Sequence, residues 1–245
     1  MLERITITID KNLLKSVDAN IDGKSVRNRS QAISYLVEKA MGKTFKAIVL
    51  CGKPETALKK IGDQPVLYRL IEYLKRNGIT EVIIALSENS QKVIDCVNKI
   101  NGVKIEFVWD DGKGTALALE KAKNFLNDTF LLSYADVLYE DLNLNDFLEF
   151  HKKNSGLTTI ALAEVKKTAL FGTAKMMGSK IIEFEEKPSE SETNLVNAGV
   201  AFCEPQVLSF INQKTLSFEK DLLPLLAKQG KLMGYNYSGE WKHYG

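Results

Sequence analysis

Two different periods divide the chain. From Arg4 to Ile9 polar and apolar side chains alternate strictly, with β-branched residues at five of the six positions, which is the period-2 pattern of a half-buried strand. Asp10 then stands where a helix N-cap belongs, and Leu13, Leu14, Val17 and Ile21 recur at helical spacing before Gly23. A second helix is expected from Ser30 as cap, with Ala32, Ile33, Leu36, Val37 and Ala40 on one face up to Gly42. From Phe45 the pattern changes. Residues 45–50 form a short apolar run fitting a fully buried parallel strand, followed by a helix over 65–77, a strand over 81–86, a helix over 91–100, a strand over 103–108, a helix over 115–126 and a strand over 129–133. The pattern predicts an α/β chain: a β-α-α module over residues 1–43, then a Rossmann-like, mostly parallel sheet flanked by helices over 45–245. In such sheets ligands lie beyond the carboxyl ends of the strands, here residues 51–62, 87–90, 109–115 and 134–137.

Composition narrows the classes. The 245 residues are 44% hydrophobic and 26% charged with 16 Gly and 5 Pro, the balance of a globular chain with a full-sized core, neither disordered nor collagenous. Cys51, Cys96 and Cys203 are odd in number and widely spaced, and only two histidines accompany them, so neither a disulfide framework nor a structural zinc site is expected. A reducing, cytoplasmic setting follows as the expectation. No run approaches the roughly 18 apolar residues of a membrane span, and the chain opens on Glu3 and Arg4 without a signal-peptide pattern. Residues 1–43 carry eight basic groups against five acidic ones, and the rest 25 against 26. Any nucleic-acid contact is therefore expected in the first segment.

A β-α-α module of this size buries too little apolar surface to stand alone, and its strand has no local partner. Both deficits are met if two copies pair through that strand as a homodimer or higher oligomer. Over residues 2–42 the segment resembles the ribbon-helix-helix family of DNA-binding proteins, on the R-I-T-I-T-I strand and the R-N-R-S-Q-A-I stretch that opens the second helix. The resemblance implies an antiparallel ribbon in the major groove of double-stranded DNA, with Arg4, Thr6 and Thr8 facing the base edges. It also implies a phosphate held by backbone amides near Arg29 and Ser30. The plainer alternative is an edge strand and helix pair that packs on the body or only dimerises.

The body is similar to the sugar-1-phosphate nucleotidyltransferase family, a GT-A type fold, on six stretches in order. These are I-G-D-Q-P-V-L at 61–67, G-T-A at 114–116, L-L-S-Y-A-D-V at 131–137, F-G at 171–172, E-K-P at 186–188 and N-A-G-V at 197–200. The resemblance implies joining of a nucleoside triphosphate to a sugar phosphate, with Mg²⁺ and pyrophosphate release. Asp136, just past a buried strand, would hold Mg²⁺ with phosphates completing the shell. Lys187 would neutralise the sugar phosphate and Glu186 accept hydrogen bonds from sugar hydroxyls. Gly114 and Thr115 would admit the nucleotide, while Gly172, Asn197 and Gly199 shape the sugar side.

Two departures set the expected function. The family's glycine-rich phosphate loop with its Gly-Thr-Arg core is absent, since the first strand runs directly into C-G-K-P-E-T-A-L-K-K at 51–60, and Thr56 falls where the family has a lysine. Where the family has a second metal-binding Asp after Trp, the chain reads Trp241-Lys242-His243, exchanging a hard oxygen ligand for an imidazole. Because losing even one preorganised donor costs on the order of 10²–10³ in rate, these losses together predict a catalytically degraded body. The leading expectation is thus a DNA-binding transcriptional regulator, not an enzyme, whose body binds a sugar phosphate or nucleotide sugar, with Mg²⁺ only where nucleotide binding persists and with no catalytic residue assigned. The alternative is an active sugar-1-phosphate nucleotidyltransferase with a diverged phosphate loop, in which Lys53, Lys59 and Lys60 hold phosphates and the N-terminal module only dimerises. A third expectation gives both halves a purely structural role.

Overall fold

The computed structural model describes residues 5–23, 26–41 and 45–245. The chain forms two compact units, Met1–Thr44 and Phe45–Gly245. In the first, helix α1 (Lys11–Asp18) starts at Asp10, whose carboxylate accepts from the amides of Asn12 and Leu13 at 2.8 and 3.3 Å. Helix α2 (Arg29–Met41) is capped by Asn28 and not, as expected, by Ser30. The Asn28 side chain accepts from Gln31 N at 3.0 Å, and the Gln31 side chain accepts from Arg27 N at 2.7 Å. Val17 and Ala32 are buried in this unit.

The expected N-terminal strand is not formed among the described residues. Residues 5–10 make no ladder, and Ile5 and Ile7 are 77% and 52% exposed. A strand with no neighbouring edge leaves its amides and carbonyls to water, so alternation alone does not create one. Arg4 lies outside the described residues.

The body is built on a nine-stranded sheet with two short two-stranded pairings. In chain order its elements are β1 (Ala47–Cys51), α3 (Pro54–Ala57), β2 (Lys60–Ile61), β3 (Gln64–Pro65), α4 (Val66–Arg76), β4 (Glu81–Leu86), α5 (Gln91–Val97), β5 (Lys104–Trp109) and α6 (Thr115–Lys121). There follow β6 (Phe130–Tyr134), β7 (Val137–Leu138), α7 (Leu144–Asn154), β8 (Thr158–Glu164), β9 (Gly172–Met177), β10 (Lys180–Glu186), β11 (Leu195–Cys203), a π-helix (Phe218–Leu222), α8 (Leu223–Lys228), β12 (Leu232–Asn236) and β13 (Lys242–His243). The main sheet runs β5-β4-β1-β6-β11-β8-β12-β10-β9, and the two short pairings are β2–β3 and β7–β13. Its first four strands are parallel, as helix-length crossovers demand. The expectation of a mostly parallel sheet fails beyond them. Strand β11 lies antiparallel between β6 and β8, and β10 returns antiparallel on β9 through the two residues Gly178 and Ser179, a connection too short for any parallel crossover. The sheet is therefore mixed. Successive residues of β1 enter opposite cores, Ala47, Val49 and Cys51 on one face and Ile48 and Leu50 on the other. Among the described residues no helix is long and apolar enough to cross a membrane, and the three cysteines are free and buried.

One buried polar cluster sits within this frame. His151 at the end of α7 is 1% exposed, with Nδ1 2.7 Å from Thr159 Oγ1 and Nε2 3.0 Å from Glu204 Oε1, which also accepts from Thr129 at 3.0 Å. Burial holds this imidazole below its ordinary value against the opposing pull of Glu204. The unfolded chain then takes up a proton that the folded ring resists, so stability present above about pH 6.5 is lost as the pH falls below it. In an NMR pH titration the His151 ring signals are expected to move only below about pH 6.5, with the thermal midpoint falling over the same interval. A His151 midpoint above about 7 would contradict this.

Candidate active site

The carboxyl end of β6 is where the chemistry collects. Asp136 follows that strand directly, and the antiparallel pairing of β13 on β7 sets His243 opposite Val137, with Tyr244 N donating to the Asp136 carbonyl at 2.9 Å. His243 Nε2 consequently stands 3.9 Å from Asp136 Oδ2. Thr56, from α3, approaches the same carboxylate oxygen with its hydroxyl at 3.4 Å. Trp241 anchors the terminal strand by donating from Nε1 to the Ala198 carbonyl at 2.8 Å, and Phe171 packs edge-on against both Trp241 and His243.

Two glycines allow close packing beside this carboxylate. Gly199 lies in a bulge of β11 between Asn197 and Ala201, with φ +76°, and its amide is taken up by the Asn197 side chain at 3.0 Å. A Cβ at Gly199 would come within 3.1 Å of both Val137 and Tyr134. Gly172 faces Glu186 across the β9–β10 pair, and a Cβ there would lie 2.4 Å from the Phe184 ring and 2.6 Å from Glu186 Oε2. Lys187 follows β10 in the left-handed region at φ +53°, a conformation that costs a non-glycine residue free energy and aims its side chain off the strand. Its Nζ lies 3.9 Å from Glu186 Oε1.

Asp136, Gly172, Glu186, Lys187, Asn197 and Gly199 thus share one cavity of about 180 Å³, with Tyr134, Glu219, Phe171, Trp241 and His243 completing its wall. Burial raises the Glu186 carboxyl above its ordinary value, against Lys187 and Lys220. Burial likewise lowers the His243 imidazole, opposed by Asp136 and reinforced by Lys187 and Lys53. A negative ligand group is the natural complement of these two lysines.

Gly114 and Thr115 are not in the cavity wall. Gly114 has φ +149°, and a Cβ there would meet the Leu216 carbonyl oxygen at 2.1 Å, so this glycine serves the close approach of α6 to the 216 backbone. Thr115 donates to Glu219 Oε2 at 2.8 Å and accepts from Phe218 N at 2.8 Å. Ser217 donates to the same oxygen at 2.7 Å, and the Tyr134 hydroxyl donates to Glu219 Oε1. Burial raises the Glu219 carboxyl despite these donors. Tyr134 and Glu219 escaped the reading of the sequence. Tyr134 lies inside a quoted stretch, but Glu219 sits in a polar F-E-K-D run whose π-helical geometry carries no periodic signal.

Of the residues expected to touch DNA, Thr6, Thr8 and Ser30 are exposed. Arg29 is engaged by Asp18 through two contacts of 2.7 and 2.9 Å, tying α2 to α1.

A family model described as Nucleotidyl transferase matches residues 30–245, beginning inside α2. The mannose-1-phosphate guanyltransferase of Yarrowia lipolytica is 32% identical over 197 residues, covering 77% of this chain and 54% of that protein. The enzyme of the same name from Aspergillus oryzae is 28% identical over 222 residues, covering 82% and 61%. The chain spans about half to three-fifths of the length of these relatives. HddC from Yersinia pseudotuberculosis superposes with a TM-score of 0.70 at 22% identity, over 82% of this chain and 93% of that one, a likeness of fold. These matches overturn the expectation of a DNA-binding transcriptional regulator with double-stranded DNA as its partner. They equally overturn the expectation of a catalytically degraded body, since the relatives are named as transferases and align along most of the chain. The chain belongs to the nucleotidyl transferase family.

Proposed function

We propose that the chain is a sugar-1-phosphate nucleotidyltransferase, with residues 45–245 as the catalytic body and residues 1–43 as an appended module. The observation that carries this reading is the convergence of Asp136, Gly172, Glu186, Lys187, Asn197 and Gly199 on one cavity. In the reaction a phosphate oxygen of the sugar phosphate attacks the α-phosphorus of a nucleoside triphosphate. The bond from the α-phosphorus to the bridging oxygen breaks, and pyrophosphate leaves with that electron pair.

The side chains divide the work by charge and shape. Lys187 supplies a fixed ammonium to the sugar phosphate, and its left-handed backbone fixes the direction from which it comes. Glu186 is deprived of water and gains hydrogen bonds when sugar hydroxyls fill the cavity. Gly172 and Gly199 let Phe184, Glu186, Val137 and Tyr134 pack where a Cβ would collide with them and so shape the sugar side of the cavity, and the Asn197 side chain holds the Gly199 amide in the bulge. On the nucleotide side the connection after β1 is short, so positive charge comes from the exposed side chains of Lys53, Lys59 and Lys60 in place of a glycine-rich cradle. Asp136 fits a divalent ion carried in by the triphosphate, because one carboxylate with substrate phosphates is a sufficient set. Such an ion, when bound, screens the phosphate charges from the incoming oxygen.

Pyrophosphate release from GTP and mannose 1-phosphate is the first test, with other triphosphates and hexose 1-phosphates as the panel. Release that requires both substrates is expected, and no release from any pair with Mg²⁺ or Mn²⁺ would contradict the reading. Lys187→Gly separates stability from function: relieving the positive φ is expected to leave the protein unchanged or about 1 kcal/mol more stable. The same substitution should cost on the order of 10² in kcat/KM. A thermal scan beside a kinetic assay reads both, and equal loss of stability and rate would assign Lys187 a structural role instead.

A further inference from the structure

We infer that Glu219, from the π-helix, reads a hydroxyl of the bound sugar together with Tyr134, and is thereby a specificity-determining residue of the cavity. The inference deepens the transferase reading and rests on it for a sugar as the occupant. Both residues line the cavity beside Glu186 and Lys187, yet neither has a part in the division of work set out above.

The directions of the hydrogen bonds around Glu219 carry it. Thr115 Oγ1 accepts from Phe218 N at 2.8 Å, and Ser217 Oγ accepts from Lys220 N at 3.0 Å. Each hydroxyl therefore turns its hydrogen to Glu219 Oε2, at 2.8 and 2.7 Å, and two donors fill the acceptor capacity of that oxygen. Oε1 takes the Tyr134 hydroxyl and is the oxygen left to meet a ligand. Tyr134, having given its hydrogen to Glu219, likewise offers a ligand only its oxygen. The pair thus presents acceptors, which suit a ring hydroxyl and repel a phosphate. The backbone beneath is fixed as well: Asp221 Oδ2 accepts from Leu216 N and Ser217 N, both at 2.8 Å, and Ala116 N donates to the Leu216 carbonyl at 3.0 Å. Burial already works against the Glu219 charge, with Thr115 and the residue's own amide opposing it. A ligand that fills the cavity without a hydroxyl at this point removes water from the carboxylate and returns no donor, which is the costly case for a buried acceptor.

The test pairs a change in the protein with a change in the ligand. Full-length protein is titrated calorimetrically with GDP-mannose and with its 2-, 3-, 4- and 6-deoxymannose forms, which needs no turnover. Glu219→Gln is the main variant. Its amide oxygen can take the Thr115 and Ser217 hydroxyls while its NH₂ group faces Tyr134, whose hydroxyl is free to turn and accept, so the network closes but the acceptor shown to the ligand becomes a donor. In the unaltered protein at least one deoxy form is expected to bind at least about tenfold more weakly than GDP-mannose. Glu219→Gln should bring one such ratio to within about threefold and leave the others unchanged, including any set by Glu186. Tyr134→Phe, which keeps Glu219 bound to Thr115 and Ser217, should reduce that same ratio by at least about threefold, and it carries the test alone if Glu219→Gln does not fold. Ratios untouched by the variants, every ligand weakened equally, no discrimination among deoxy forms in the unaltered protein, or no binding of these ligands would each overturn the proposal. Collapse of the one ratio in a protein that releases no pyrophosphate from any pair would instead leave Glu219 as a sugar contact and remove the transferase reading.

Discussion

The two-sided pairing of β6 is the constraint on which the site depends. Its parallel register with β1, Leu50 against Tyr134, brings the ends of two buried strands to one level, and its antiparallel register with β11, Ser133 against Val200, turns the Gly199 bulge toward the same point. Asp136 emerges where these pairings stop. The backbone hydrogen bonds of a buried sheet are costly to leave unmade, so the position of this carboxylate is set by the ladder and not by the loop that carries it. Strand β13 then adds His243 through the short β7 pairing, and β9–β10 deliver Gly172, Glu186 and Lys187 from the far side of the sheet.

Much of this was legible before any coordinates. The strand read at 81–86 is β4 with the same limits, and the helix read over 65–77 is α4 to within one residue at each end, because buried runs and amphipathic stripes are local signals. Helix α6 stops at Lys121 instead of reaching Leu126, tightening into a 3₁₀ turn at Lys123–Phe125 that apolar spacing does not distinguish from an α-helix. The antiparallel half was invisible to that reasoning, since strand direction follows from connection length and partner choice. The sugar-side residues were readable as short motifs, yet the partnership of Glu219 with Tyr134 and Thr115 spans separations of 85 and 104 positions and has no local signature.

The N-terminal segment shows the limit of alternation as a signal. Alternation from Ile5 to Ile9 is a preference for one face over the other, and it becomes a strand only when another edge accepts its hydrogen bonds. At the start of α2 the Arg29 side chain pairs with Asp18 of α1, a contact between residues eleven positions apart that the helical spacing of either helix does not announce. The missing phosphate loop and the exchange of Asp for His243 weigh toward loss of function only as far as their separate costs combine. Effects within one site are strongly non-additive, so deletion of one binding element does not fix the activity of the remainder.

The central claim is that a sugar phosphate occupies the cavity between Gly172 and Gly199 with its phosphate toward Lys187. The most direct measurement is a crystal structure of the full chain with GDP-mannose. The account predicts hexose density against Glu186 and Asn197, the phosphate nearest the sugar within contact of Lys187, and the second phosphate toward Asp136 and Lys53. Ligand bound elsewhere on the body, or this cavity empty at saturating ligand, would contradict it.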